Sequence, residues 1–384
     1  MLLLNRANKV LGITTISLGG ISGSLMDVRI TAPGKTGKKL PVAMCIHGGA
    51  FTGGWGTEPE MDGEAWAERS VILVTFNYRL GIFGFFAHPD LSAESPNHVS
   101  GNYGILDQLA AIKWIKNNIT QFGGDPDNIM IFGQSAGAMS VQTLVSSPLA
   151  KDLIAKAVIE SGGGISDRPI MSGGNLPEAE MRGKALMVFG GYNSLSKMRA
   201  ASYDELMALN SKYTAETKQR VRFSPIIDNY LSTTDFISAA KSGTIANVPY
   251  LIGSTMDDMG MLASGVDAFC LLRQQQGGKA YAYQFARPLP GDSAGAFHSS
   301  ELWYVFHTLK RSWRPFTKAD DALSIEMVNA WTNFATYNDP NGKGNIVWTP
   351  YTTETPQYMV FKLNEAGTEP ASGMGQLMPP WVKR

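Results

Sequence analysis

The stretch from Asn128 to Ser146, NIMIFGQSAGAMSVQTLVS, decides the fold. Ile129 to Phe132 is an apolar run of strand length, and Ala136 to Ser146 is a run of small and apolar residues with helical character. Between them Gly133-Gln134-Ser135-Ala136-Gly137 is a G-x-S-x-G string at a strand-to-helix turn, the arrangement of a nucleophile elbow. So tight a turn admits only small residues beside the serine. It holds Ser135 in a strained backbone conformation, with the hydroxyl projecting into a site and the free N–H groups and positive dipole end of the helix behind it. The chain has 41 glycines, so the string also arises by chance; the plain alternative is a glycine-rich turn whose serine caps the helix. The strand before it and the helix after it favour the elbow.

Outward from the elbow the same rhythm repeats. Val42–Ile46, Val71–Phe76, Ala157–Ile159, Val248–Ile252 and Tyr281–Phe285 read as further strands, apolar on both faces, as in a parallel sheet covered by helices. Tyr103–Asn118 places Ile105, Leu109, Ile112 and Ile115 on one helical face, and Leu323–Tyr337 does the same with Met327, Ala330, Trp331 and Phe334. The pattern predicts an α/β fold with a mostly parallel central sheet and helices on both faces. Gly162 to Gln219, rich in Gly and Ser and without a clear strand, reads as an insertion over one end of the sheet. The 384 residues read as a single catalytic domain with a reduced, cap-like insertion around 162–222 and a short insert around 262–280.

Composition narrows the partners. Lys plus Arg and Asp plus Glu are both 33, so the chain has no net charge to gather phosphates, and nucleic acid is excluded as the main partner. Cys45 and Cys270 sit in apolar stretches, with no C-x-x-C spacing, and read as buried small hydrophobes. No run of about 18 apolar residues is present, so no membrane-spanning helix is expected. The start, MLLLNRANKVLGITTISLGG, imitates a secretory leader, but Thr14, Thr15 and Ser17 interrupt its apolar part. The reading is a cytoplasmic protein, with secretion as the alternative.

A serine nucleophile needs a base, a carboxylate that orients the base, and donors for the oxyanion. His47-Gly48-Gly49-Ala50-Phe51 follows the strand Val42–Ile46, where glycines let the backbone approach a substrate; the N–H groups of Gly49, Ala50 and Ala136 are the expected oxyanion donors. In α/β-hydrolases the order along the chain is Ser, acid, His, which removes His47, His88 and His98. His298 lies in a loop after the strand Tyr281–Phe285, whereas His307 lies in the apolar, helical stretch ELWYVFHTL, so His298 is the expected base. The acid falls on Asp257 or Asp258, directly after the strand Val248–Ile252; the alternative is that the pair caps a following helix.

With these residues in place the chain resembles the type-B carboxylesterases, the cholinesterase-like branch of the α/β-hydrolase fold. The resemblance covers roughly Leu40 to Ser161, Phe223 to Met261 and Phe297 to Gly342. It rests on HGGAF, NYRLGIFGF (Asn77–Phe85), GNYGILDQ (Gly101–Gln108), FGGDPDNIMIFGQSAGA (Phe122–Ala138) and ESGG (Glu160–Gly163), then FSPIID, IGSTMDDMG, FHSSELWYVF and WTNFATYNDPNG. It implies Ser135 as nucleophile, His298 as base, and Gly49, Ala50 and Ala136 as oxyanion donors. The family's acid, usually Glu, aligns with Asp258, leaving Asp257 as runner-up. Gln134 stands where cholinesterases carry Glu, which argues against a choline-like cationic substrate. Arg79, Asp107 and Asp228 look structural.

The chain also departs from the family. The segment ahead of the oxyanion loop is short, with LMDVRITAP where relatives carry an E-D-C-L string and an early disulfide, and the segments after ESGG and after Met261 are short as well. These losses imply a lower rim and a more open pocket. The expected function is hydrolysis of short- to medium-chain or aryl carboxylic esters through an acyl-enzyme, on a small-molecule substrate and with no metal or organic cofactor; no H-E-x-x-H or Walker string is present. A specialised feruloyl or acetyl-xylan esterase is the alternative, and a non-catalytic cholinesterase-like binding module the rival of another class.

Overall fold

The computed structural model describes residues 2–4, 10–17, 25–34, 37–165, 172–259, 265–342 and 347–378, with side chains from residue 28 onward. In chain order the strands are β1 (Leu2–Leu4), β2 (Val10–Ser17), β3 (Leu25–Ala32), β4 (Leu40–Ile46), β5 (Ile72–Phe76), β6 (Gly124–Gln134), β7 (Lys156–Glu160), β8 (Tyr250–Thr255), β9 (Ala280–Phe285), β10 (Tyr358–Phe361) and β11 (Gly373–Gly375). They form one sheet in the order β1-β2-β3-β5-β4-β6-β7-β8-β9-β10-β11. From β5 across to β10 every neighbouring pair is parallel, while β1 to β3 on one side and β11 on the other join antiparallel. Every residue of β4, β5, β7, β8 and β9 is buried. Alternate residues point to opposite faces, so both faces of the sheet are covered.

The helix Tyr103–Asn118 has the expected bounds and buries Ile105, Leu109, Ile112 and Ile115. The helix Ala136–Ser146 also matches its expected span. Two other expectations need correction. The long C-terminal helix runs Lys318–Tyr337, five residues longer at its start than its apolar pattern suggests, because Thr317 and Asp320 close a capping box ahead of a polar first turn. The helix containing Leu302 ends at Val305, and His307 lies beyond it with φ 53°. Strands also precede β4. In β3 the apolar Val28, Ile30 and Ala32 alternate with the polar Arg29 and Thr31, of which Thr31 is buried as well, a period-2 pattern that a search for runs apolar on both faces passes over.

The insertion is helical, with Leu176–Phe189 and Tyr203–Thr217 each opened by a capping box and Leu195–Arg199 between them. Residues 166–171 of the insertion, and 260–264, which include the start of the short insert, lie outside the described residues. The rest of the short insert carries the helix Val266–Gln275. Cys45 and Cys270 are both buried and free. Among the described residues no helix is long and apolar enough to cross a membrane.

Because the central strands run the same way, their C-terminal ends share one edge. The loop after β4, Ser135 after β6, the pair Asp257-Asp258 after β8 and the loop from β9 to His298 all open on that edge. Two structural carboxylates brace the connections. Asp107 accepts from Arg79 through Nε at 2.8 Å, Nη2 at 2.7 Å and the backbone N–H at 3.0 Å. Asp228 receives Asn102 Nδ2 at 2.8 Å and the N–H groups of Tyr230, Leu231 and Ser232. Removing Asp107 strands a largely buried guanidinium, so Asp107→Ala is expected to lose about 3 kcal/mol of stability in urea unfolding; a loss below about 1 kcal/mol would show that solvent replaces the carboxylate.

Candidate active site

The elbow is strained and sterically closed. Ser135 has φ 58° and ψ −121°, a conformation that costs a non-glycine residue about 1–3 kcal/mol. A Cβ on Gly137 would meet the Ile46 carbonyl oxygen at 2.0 Å, and one on Gly133 would meet that oxygen and the Gly137 carbonyl carbon at 2.6 Å. The glycines are therefore required by the approach of the elbow to the end of β4. The Ser135 N–H donates to the Glu160 carbonyl at 2.9 Å, which ties the turn to β7. The Ser135 side chain makes no capping bond to the helix, contrary to the plain structural reading of the motif.

The loop after β4 stands against this turn. A Cβ on Gly48 would lie 2.9 Å from the Gln134 carbonyl oxygen and 3.3 Å from the Ser135 Cβ. Gly49, Ala50 and Phe51 follow with φ of 100°, 54° and 61°, a succession of left-handed residues that turns the chain sharply. The Gly49 carbonyl accepts from the N–H groups of Thr52 and Gly53, whereas the N–H groups of Gly49 and Ala50 have no partner among the described residues. Ala136 is the first residue of its helix, so its N–H has no intrahelical acceptor. His47 is buried and stacked on Tyr78 at 4.3 Å; burial lowers its pKa to about 4, which keeps it neutral as a structural ring.

On the other side, His298 Nδ1 lies 2.6 Å from Asp258 Oδ1. The Asp258 side chain is 3% exposed and that of His298 24%, so the carboxylate is sealed while the ring reaches the surface. A proton on Nδ1, donated to Asp258, leaves Nε2 with its lone pair. Gln134 Nε2 is 3.2 Å from that atom, which places the imidazole over the elbow. His307 is elsewhere, bonded through Nδ1 to Ser324 Oγ at 2.9 Å on the long C-terminal helix.

Sequence reading leaves Asp257 and Asp258 interchangeable; in the folded chain they do different things. Asp257 Oδ2 accepts from the Ala296 N–H at 2.6 Å, and its own N–H donates to the Ala296 carbonyl at 3.0 Å. It thus clamps the loop two residues before His298, while Asp258 meets the ring. Neither aspartate caps the following helix, whose N-cap is Gly265.

The carboxylesterase family model matches residues 26–270 and 261–374. The chain belongs to the carboxylesterase family. It is 40% identical over 243 residues to a fumonisin B1 esterase of Sphingopyxis macrogoltabida, a match covering 62% of this chain and 43% of that protein. It is 38% identical over 244 residues to a para-nitrobenzyl esterase of Bacillus subtilis, covering 62% and 47%. These alignments thus span less than half the length of either relative. A thermophilic pNB esterase structure superposes with a TM-score of 0.80 at 27% identity over 92% of this chain and 82% of that one, and the fold is that of the α/β-hydrolases.

Sequence reading missed the floor beneath this candidate site. Glu160 and Glu301 are fully buried there, and the Trp331 Nε1–H donates to Glu160 Oε1 at 2.6 Å. The available signal was a glutamate closing an apolar strand, KAVIE, and another inside the apolar run SSELWYV. A 2.6 Å N–H to carboxylate bond is short and charge-assisted. The His298 Nδ1–H is expected as a low-field proton resonance that vanishes in Asp258→Asn and persists, broadened, in Asp257→Asn; its loss in Asp257→Asn alone would reverse the two roles.

Proposed function

We propose that this protein hydrolyses carboxylic esters through an acyl-enzyme on Ser135. The observation that carries the reading is the His298 to Asp258 bond of 2.6 Å, formed over an elbow whose serine hydroxyl is spent on no helix cap. Ser135 Oγ attacks the ester carbonyl carbon and its proton passes to His298 Nε2, while Asp258 stabilises the imidazolium. The oxyanion accepts hydrogen bonds from the N–H groups of Gly49, Ala50 and Ala136. Collapse breaks the bond to the alcohol oxygen, which takes the proton from His298. Water then attacks the acyl carbon, gives its proton to the same nitrogen, and the acid leaves as Ser135 recovers its hydrogen.

For this exchange Nε2 must turn from the Gln134 amide, 3.2 Å away, to the seryl hydroxyl. Gln134 also leaves the position next to the nucleophile uncharged, which fits neutral esters better than cationic ones. The relatives named as esterases of fumonisin B1 and of para-nitrobenzyl esters support carboxylic esters, benzyl esters among them, as the substrate class, alongside the short- and medium-chain and aryl esters expected here.

The test is turnover of p-nitrophenyl acetate, butyrate and octanoate and of a p-nitrobenzyl ester, together with covalent labelling by a fluorophosphonate. Wild type is expected to turn over and to label once. Ser135→Ala should do neither, and His298→Ala should lose at least about a thousandfold in kcat. Turnover surviving in Ser135→Ala would place the nucleophile elsewhere.

A further inference from the structure

His298 hangs on a long connection. Between the end of β9 at Phe285 and the short helix that begins at Leu302 the chain forms no strand or helix. Such a connection samples many arrangements unless it is tied down, whereas a base must be held to within about 0.5 Å of its working position. Part of the hold is internal. The Leu289 N–H donates to the Gly295 carbonyl at 3.0 Å and the Ala294 N–H to Asp292 Oδ1 at 3.0 Å, which closes residues 289–295 into one unit. Asp257 grips the inner side of the loop at Ala296.

The outer side is gripped by one arginine, Arg314, in the segment that leads into the long C-terminal helix. Its Nη1 donates to the Pro290 carbonyl at 2.9 Å and its Nη2 to Asp292 Oδ2 at 2.8 Å. Its Cζ lies 5.2 Å from the ring centroid of Phe297, the residue before His298, and 4.8 Å from that of Trp313. Between the two bonded loop residues Gly291 has φ 104°, and a Cβ there would lie 3.0 Å from the Trp313 ring and 3.1 Å from Pro315 Cδ. Glycine thus lets the loop lie close against residues 313–315. The Arg314 side chain is only 9% exposed, and a planar fork with two acceptors and an aromatic face holds better than a surface ion pair. Arg199 is a contrast: its two bonds to Glu94 join more exposed side chains on the insertion, where an ion pair contributes little.

We propose that Arg314 is a positioning residue: by gripping Pro290, Asp292 and Phe297 together it sets the imidazole of His298 against Asp258. The inner and outer grips meet at Phe297, which is bridged to Asp257 and carries the ring beside the guanidinium. Arg314 acts through that residue and the peptide bond that joins it to His298. Asp292 faces solvent, so removing the arginine leaves no buried charge behind. What is lost is the fixed path of the loop: the imidazole still finds Asp258, but it spends less time in line with Ser135, so proton transfer slows while the affinity for a neutral ester stays.

The kinetic arm of the test rests on the ester-hydrolase reading; the spectroscopic arm does not. On p-nitrophenyl butyrate, Arg314→Ala should lower kcat about tenfold with KM within about twofold of wild type, while Arg199→Ala should change neither. The low-field His298 Nδ1–H resonance should broaden in Arg314→Ala, and hydrogen exchange at the Ala296 N–H should quicken at least about tenfold. Arg314→Lys carries the test if Arg314→Ala does not fold: lysine keeps a charge beside Asp292 but cannot hold two acceptors and lie along a ring, so its kcat should fall about threefold. An equal kcat loss in Arg199→Ala overturns the proposal, as do Arg314 variants that lose only melting temperature and keep wild-type kcat, resonance and exchange. In a protein without turnover the ester-hydrolase reading falls, and the resonance and exchange decide alone: a change in either on loss of Arg314 supports the positioning role, and no change in both overturns it.

Discussion

Everything at the site depends on how closely the turn at Ser135 approaches the end of β4. The Ile46 carbonyl oxygen occupies the space that side chains at 133 and 137 would need, so glycine stands at both. Between them Ser135 is held at φ 58°, a conformation stabilised by contacts on both sides: its N–H on β7 and its carbonyl as the first acceptor of the helix. The strain of about 1–3 kcal/mol is offset by the buried sheet around it. The same turn leaves the Ser135 hydroxyl without a helix-capping bond and brings the loop after β4 against it.

The acid–base side is built by a different device. β8 and β9 are adjacent and parallel, so the loops leaving them run side by side, and the isolated bridge between Asp257 and Phe297 prolongs the pairing past both strands. That extension fixes His298 relative to Asp258. Two neighbouring aspartates share the work: backbone geometry turns one toward the loop's N–H and the other toward the ring. On this side the imidazole stands against Gln134, whose amide nitrogen lies within 3.4 Å of both ring nitrogens.

Beneath these loops the interior is less apolar than the strands suggest. Glu160 and Glu301 are fully buried, one supported by an indole N–H and the other by a serine hydroxyl. A buried carboxyl of this kind is tolerated when it keeps its proton, since the neutral acid avoids most of the desolvation cost.

The sequence by itself determined the strand, tight turn and helix around Ser135 and the parallel core. Each of these is written locally: a glycine pair around a serine, an apolar strand before it, a helix of correct period after it. What only the tertiary structure decided depends on side chains brought together from distant strands. Asp257 and Asp258 are adjacent and identical in type, and the loop that distinguishes them arrives from about forty residues downstream. β3 is an alternating strand whose burial exists only once β5 pairs with it. Glu160 and Glu301 read as ordinary charged residues until register and the Trp331 indole enclose them, because burial is a property of the assembled layers and no single segment encodes it.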